Sequence, residues 1–334
     1  MKKILMIGTG GTIASDVTPT GLSPDLDPSR LLEFIPNIHK YCEVNCVQCY
    51  NLDSTNIRPK HWLGLCETIK KYYDEYDGFV ISHGTDTMAY TAAALSYLIQ
   101  NSSKPIVITG AQKPIWFDST DSKRNLIDAF LYACHGSGGV VIVFNGKVIL
   151  GTRARKTYSK SFQAFSSVNY PILAVLQDEK LLQYIHADSQ ADAPVFFNSL
   201  NANVGLLKLF PGMQSNVVDY MLEHHDGLII ESFGVGGLPE YSDFYDSVRR
   251  GAENGKIIVM TTQVPNEGSD LSVYVVGGHL KSTVRILEAH DMTTEAALTK
   301  LMWIMGQTRD FERIKTMFYT PVAKDILYSE GYGE

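Results

Sequence analysis

Two short segments combine glycine with hydroxyl side chains in a way that suits acyl transfer. The first is Gly8-Thr9-Gly10-Gly11-Thr12, directly after the apolar run Ile4-Leu5-Met6-Ile7. The second is Ser82-His83-Gly84-Thr85-Asp86-Thr87-Met88, directly after Phe79-Val80-Ile81. A threonine hydroxyl is a weak nucleophile, so it needs a neighbouring base or relay and preorganised donors for the oxyanion that forms. A glycine turn at the carboxyl end of a buried strand offers backbone N–H groups for that purpose, and it serves equally well as a plain tight turn. Thr85 or Asp86 alone reads as a helix cap, and His83 alone as a hydrogen-bonded core residue. Two hydroxyl-bearing turns at strand ends of one sheet are harder to dismiss, because they can converge on a single crevice. Two further polar segments stand apart: Asp53-Ser54-Thr55-Asn56, by itself an Asx-type turn, and Arg153-Ala154-Arg155-Lys156, by itself a solvated charged turn.

Other chemistries lack support. A dinucleotide fingerprint needs glycine at position 13, which is Ile13, and no P-loop, HExxH or GxSxG sequence occurs. Cys42-x3-Cys46-x2-Cys49 has the spacing of a radical-SAM iron–sulfur site. It enters a strand, however, in which Cys46 and Cys49 face opposite sides, and Gln48 stands where that family favours an aromatic. Neither a metal nor another cofactor is expected.

The elements that would position these residues read as alternating α/β. Strands are predicted at Lys3 to Ile7, Val44 to Tyr50, Gly78 to Ser82, Lys104 to Thr109 and Gly139 to Phe144. Between them lie a helix opened by Pro59, one over Thr85 to Leu98 and one over Asp121 to Cys134. Asp16 to Pro28, with Pro19, Gly21 and Pro24, reads as a mobile loop over the first turn. The aperiodic stretch 186–203 is expected to be a linker between an N-terminal catalytic domain, 1–185, and a C-terminal domain, 204–334. In the latter, strands at Val204 to Leu209, Gly227 to Glu231 and Lys256 to Thr261 alternate with helices at Asn216 to His224 and Asp243 to Asn254. Helices at Thr294 to Met305 and near the C-terminus follow. The expected fold is therefore two-domain α/β: a large N-terminal, mostly parallel sheet with helices on both faces, and a smaller C-terminal α/β domain.

Composition narrows the partners. The 334 residues are 45% hydrophobic and 19% charged with a net charge of −7, and no basic stripe suits a phosphate backbone. No apolar run approaches the roughly 20 residues of a membrane span, and the one at the N-terminus is shorter than the roughly 7–15 residues of a secretory core. Five cysteines, an odd number, do not suggest a disulfide framework. A cytoplasmic protein is expected, without nucleic-acid or membrane partners.

Thr9-Gly10-Gly11-Thr12-Ile13-Ala14 and His83-Gly84-Thr85-Asp86-Thr87-Met88 together resemble the two signature segments of the bacterial asparaginase/glutaminase family. Asp53-Ser54, Thr109-Gly110-Ala111-Gln112, Lys156 and Asp291-Met292-Thr293-x-Glu295-Ala296 follow in family order, so the resemblance covers nearly the whole chain. The segment before the second motif and the lack of a signal sequence resemble the type I, cytoplasmic branch. The resemblance implies hydrolysis of L-asparagine to L-aspartate and ammonia through an acyl-enzyme on Thr12. Thr85 and Lys156 would relay a proton or activate water, and Asp86 would hold the substrate α-ammonium. Asp53, Ser54 and Thr55 would hold its α-carboxylate, Gly11 and Gly84 would line the site, and the Ala111 carbonyl would face the leaving nitrogen. To accept a proton near neutral pH, such a lysine needs burial or neighbouring cations, for which Arg153 and Arg155 are candidates.

The family also implies a homodimer or homotetramer. Two alternatives are a mixed glutaminase-asparaginase and an amidotransferase subunit that supplies ammonia; the latter is disfavoured because Thr12 lies so near Met1. The chain departs from the family at the lid tyrosine, where Leu22 stands. A phenol suits the task of orienting Thr12, because it both donates and accepts. Tyr274, after the polar loop Gln263 to Ser272, is the candidate substitute, reaching Thr12 from its own or a partner subunit; its plain alternative is ordinary interface packing.

Overall fold

The computed structural model describes residues 1–18, 21–24, 26–186, 192–273 and 275–327. The chain divides into two compact units, Met1–Asn198 and Ser199–Glu334.

In the first unit the chain runs β1 (Lys2–Gly10), β2 (Ser15–Thr18), β3 (Gly21–Pro24), α1 (Pro28–Glu33), β4 (Cys42–Leu52), α2 (Pro59–Tyr72) and β5 (Gly78–Ser82). It continues through α3 (Met88–Leu98), β6 (Ile99–Gln100), β7 (Pro105–Thr109), α4 (Ser122–His135), β8 (Gly139–Phe144) and β9 (Lys147–Leu150). The hairpin β10 (Ala154–Lys156) and β11 (Phe165–Ser167), then β12 (Ala174–Gln177), β13 (Lys180–Gln183) and β14 (Val195–Phe196), complete it. Among the described residues the main sheet is ordered β13-β12-β9-β8-β7-β5-β1-β4. From β8 to β4 every pair is parallel, and β9, β12 and β13 add an antiparallel edge.

Parallel strands covered on both faces must be apolar at consecutive positions, and these are. Ile4, Met6, Val80, Val107, Val141 and Val143 share one core with Leu126, Phe130 and Ala133 of α4. Their strand neighbours Leu5, Ile7, Phe79, Ile81, Ile106 and Ile108 are equally buried. The chain leaves β1 for β4 on one side and then β5 on the other. Sheets of this kind place their sites at such a reversal, beyond the carboxyl ends of the strands, here β1, β4 and β5.

The second unit holds a parallel sheet, β15 (Val204–Lys208), β16 (Gly227–Ser232), β17 (Ile257–Thr262) and β18 (Leu287–Glu288). Helices α5 (Asn216–His224), α6 (Phe244–Glu253), α7 (Val275–Thr283), α8 (Thr294–Gln307) and α9 (Phe311–Tyr319) accompany it. Val218 and Leu222 of α5 and Phe244 and Val248 of α6 join Leu228, Ile230 and Ile258 in its core. The fold is thus the two-part α/β architecture expected, with a large mostly parallel N-terminal sheet and a smaller C-terminal one.

Three local expectations need correction. The helix expected from Thr85 starts at Met88, because Asp86 N–H and Thr87 Oγ1 bond to Ser54 and hold residues 85–87 in the turn ahead of it. The Asp16 to Pro28 segment carries paired backbone: Ser15 opposes Pro24 and Thr18 opposes Gly21 in a β hairpin. The aperiodic stretch 186–203 includes β14, whose Val195 and Phe196 pair with Gln100 and Ile99.

Candidate active site

Glycine brings the turns together. Gly11 has φ 81° and ψ 176°, a region open essentially to glycine alone. A Cβ there would stand 2.3 Å from Gly84 N, and one on Gly84 would stand 2.6 Å from Ser54 Oγ. Three segments from three strand ends thus touch through atoms no larger residue could share. Gly110, after β7, packs as closely: its Cβ would lie 2.1 Å from His83 O.

The turns are also bonded to one another. Gly11 N–H donates to Leu52 O at 3.0 Å, and Thr9 Oγ1 donates to Ser82 O at 2.8 Å. Asp53 accepts from Thr55 N and Thr55 Oγ1, both at 2.8 Å, which turns Ser54 inward to a buried position. Ser54 Oγ then receives Asp86 N–H at 3.3 Å, and Ser54 O receives Thr87 Oγ1 at 2.8 Å. Thr12 is half-buried at the head of its 3-10 turn, Thr12–Ala14. Ala111 is fully buried just past β7. Trp116, 38% exposed, donates its indole N–H to Ser15 O at 3.0 Å, at the root of the β2–β3 hairpin.

The polar centre is a trio. Lys156 Nζ donates to Thr85 Oγ1 at 2.8 Å and to Asp86 Oδ1 at 2.6 Å. Lys156 comes from the end of β10, paired with Phe165 of β11, 71 residues from Thr85 in sequence. The basic segment is no solvated turn: Arg153 is fully buried, with its guanidinium 5.7 Å from the Tyr170 ring centre, and the Lys156 side chain is 17% exposed.

His83 is a hydrogen-bonded core residue. Trp62 Nε1–H donates to Thr91 Oγ1 at 3.1 Å, and Thr91 lies 3.0 Å from His83 Nε2. His83 Nδ1, 2.7 Å from Gly84 O, must carry the proton, since a carbonyl only accepts. Burial drives its pKa down to about 4, so the ring is neutral and holds the Gly84 carbonyl in place.

The cysteines diverge as strand geometry requires. Cys42 lies in the α4-side core beside Cys134, whereas Cys49 Sγ faces Thr68 of α2 at 3.5 Å. Among the described residues no group of three His, Cys, Asp or Glu side chains is placed to hold a metal. Leu22's side chain and Tyr274 lie outside the described residues.

With this geometry in view, two family models account for most of the chain: "Asparaginase, N-terminal" over residues 3–188 and "Glutaminase/Asparaginase C-terminal domain" over residues 203–318. The chain belongs to the asparaginase family. It is 37% identical to an L-asparaginase of Thermococcus kodakarensis over 98% of this chain and all of that one. The solved structure of the thermostable L-asparaginase from that organism matches with a TM-score of 0.93. The chain is 33% identical to one component of the Glutamyl-tRNA(Gln) amidotransferase of Pyrococcus furiosus, over 97% of this chain and 76% of that protein. It is 30% identical to L-asparaginase 1 of Escherichia coli, over 94% and 95% of the two chains. These relatives are archaeal and bacterial alike, so the likeness extends beyond the bacterial branch that the motifs suggested.

One residue at the site carried no role in the sequence reading. Gln112 was visible only as the last letter of Thr109-Gly110-Ala111-Gln112, yet its amide touches Thr85 and two backbone carbonyls of the β10–β11 loop. No local spacing signals contacts 27 to 49 residues away.

Proposed function

We propose that the protein is an L-asparaginase that hydrolyses the side-chain amide of L-asparagine to L-aspartate and ammonia. The observation that carries this reading is the trio of Lys156 with Thr85 and Asp86, set against the Gly11–Gly84–Ser54 contact beside Thr12. Thr12 Oγ attacks the amide carbon, and the oxyanion takes a backbone N–H from this turn. Gly11 N–H is committed to Leu52 O, so we assign that duty to Thr12 N–H. The proton that Thr12 Oγ gives up passes to the leaving nitrogen, which departs as ammonia as its bond to the carbonyl carbon breaks. Thr85 and Lys156 then direct water onto the acyl-enzyme, which releases aspartate and restores Thr12. Asp86, an exposed acidic side chain, suits the substrate ammonium, while Asp53, Ser54 and Thr55 shape the carboxylate clamp, Gly11 and Gly84 line the site, and the Ala111 carbonyl faces the leaving nitrogen.

Tyr274 remains our candidate for orienting Thr12, within a homodimer or homotetramer. We place the protein in the cytoplasm, a reading that the five free cysteines support. No helix among the described residues is long and apolar enough to cross a membrane.

The likeness to an amidotransferase component favours a second reading, in which ammonia passes to a partner enzyme. Ammonia release by the purified chain separates the two. Rapid release from free L-asparagine, with slower release from L-glutamine, is expected. Release that requires an added amidotransferase partner would establish the second reading and end the first.

A further inference from the structure

Gln112 Nε2 lies 3.2 Å from Ser159 O and 3.1 Å from Ser161 O, while Oε1 lies 3.1 Å from Thr85 Oγ1. The amide can face only this way, because the reversed group would set its oxygen against two carbonyls with no proton to share. Its backbone is gripped as well: Gln112 N–H donates to both carboxylate oxygens of buried Asp121, at 3.1 and 3.0 Å. Oε1 has no proton, so the hydrogen in its contact with Thr85 belongs to the threonine. With that hydrogen engaged, the 2.8 Å contact between Lys156 and Thr85 must use a hydrogen of the lysine.

We propose that Gln112 is a positioning residue: it holds the Thr85 hydroxyl proton away from Lys156 and ties that hydroxyl to the loop 157–164 that follows the lysine. Thr85 Oγ1 then presents its two lone pairs elsewhere. One receives Lys156, and the second is turned to accept a hydrogen from water at the acyl-enzyme stage. Without Gln112 the hydroxyl becomes a free rotor, and its hydrogen can swing toward the place where the water must bind. The role of Thr85 in turnover rests on the asparaginase reading; the direction of its proton does not.

The direct test is neutron diffraction from crystals of the perdeuterated, unsubstituted protein. The Thr85 deuteron is expected on the line to Gln112 Oε1, with a Lys156 deuteron pointing at Thr85 Oγ1. A Thr85 deuteron aimed at Lys156 would overturn the proposal. This map needs no substrate, so it decides the point even if asparagine proves not to be hydrolysed. Kinetics supply the second arm through Gln112→Met, which keeps the length of the side chain and removes its polar contacts. If asparagine is the substrate, kcat is expected to fall at least about thirtyfold while KM stays within about threefold. In a Thr85→Val background the same substitution should change residual kcat by less than about threefold, because the residue it acts through is gone. An equal loss in both backgrounds would make Gln112 a structural support for the loop and nothing more.

Discussion

Each hydroxyl and cation at the site has a task that substitution can show. Thr12→Ala removes an atom that acts mainly in the transition state. Turnover should nearly vanish while calorimetric binding of aspartate stays within about tenfold. Lost binding would instead indicate a collapsed site, and near-normal turnover would remove Thr12 as the nucleophile. Thr85→Val and Lys156→Met should each lower kcat at least about a hundredfold, and the double variant little more, because two groups that orient one water through their shared contact fail as a unit. Losses that multiply would mean that the 2.8 Å contact joins two independent actors. Thr12 and Thr85 were legible from the residues, because glycine-flanked hydroxyls break apolar runs visibly, whereas Asp86 and Lys156 became candidates only through the family resemblance. Their partnership came only through the family resemblance, which already paired Thr85 with Lys156; no local spacing signals it. The sequence places Lys156 in a basic cluster, and only the chain's path through β10 carries its amine to Thr85.

At the scale of elements, the turns matter as much as the groups they bear. Gly11→Ala would put a Cβ at 2.3 Å from Gly84 N in backbone territory costing about 1–3 kcal/mol for any other residue. Because the clash pushes the first turn off the second, kcat should fall at least about tenfold and the urea midpoint should drop. A fully active, equally stable variant would show that the two turns do not need their present contact. The strands of the parallel sheet were readable from sequence because burial on both faces demands unbroken apolar runs, such as Phe79-Val80-Ile81. The short antiparallel strands were not: β10, β11 and β14 have only two or three residues and mixed burial. The start of α3 was misplaced by three residues because Asp86 N–H and Thr87 Oγ1 bond to Ser54, far away in sequence, which holds this stretch in the turn ahead of the helix.

Across the molecule, two buried groups in the first unit tie stability to pH with opposite signs. Asp128 is 5% exposed, and burial raises its pKa to about 6 against partial relief from Arg124, 3.5 Å away. Its folded form therefore binds a proton more tightly than the unfolded chain does. That contribution is complete below about pH 4 and lost as pH rises through 6, up to about 3 kcal/mol in all. His83, depressed to about 4, does the reverse: its contribution is complete above about pH 6.5 and lost as pH falls toward 4. The two nearly cancel between about pH 4 and 6.5. Asp128→Asn should expose the histidine. The variant is expected to match the parent near pH 4 and to exceed it by up to about 3 kcal/mol at about pH 7, in urea titrations at both values. A difference that does not vary with pH would remove Asp128 from the account.

The bond from Trp116 to Ser15 O gives the molecule an optical gauge of its own. Of the three tryptophans, Trp62 and Trp303 are 6% and 5% exposed, whereas Trp116 is 38% exposed and clasps the root of the hairpin that follows Thr12. When that root shifts, the indole exchanges a backbone carbonyl for water while the other two keep their surroundings. Its emission moves to longer wavelength. Stopped-flow fluorescence of the unlabelled protein, mixed with aspartate, would then show whether the arm behind the nucleophile shifts and how fast, with Trp116→Phe as the dark control.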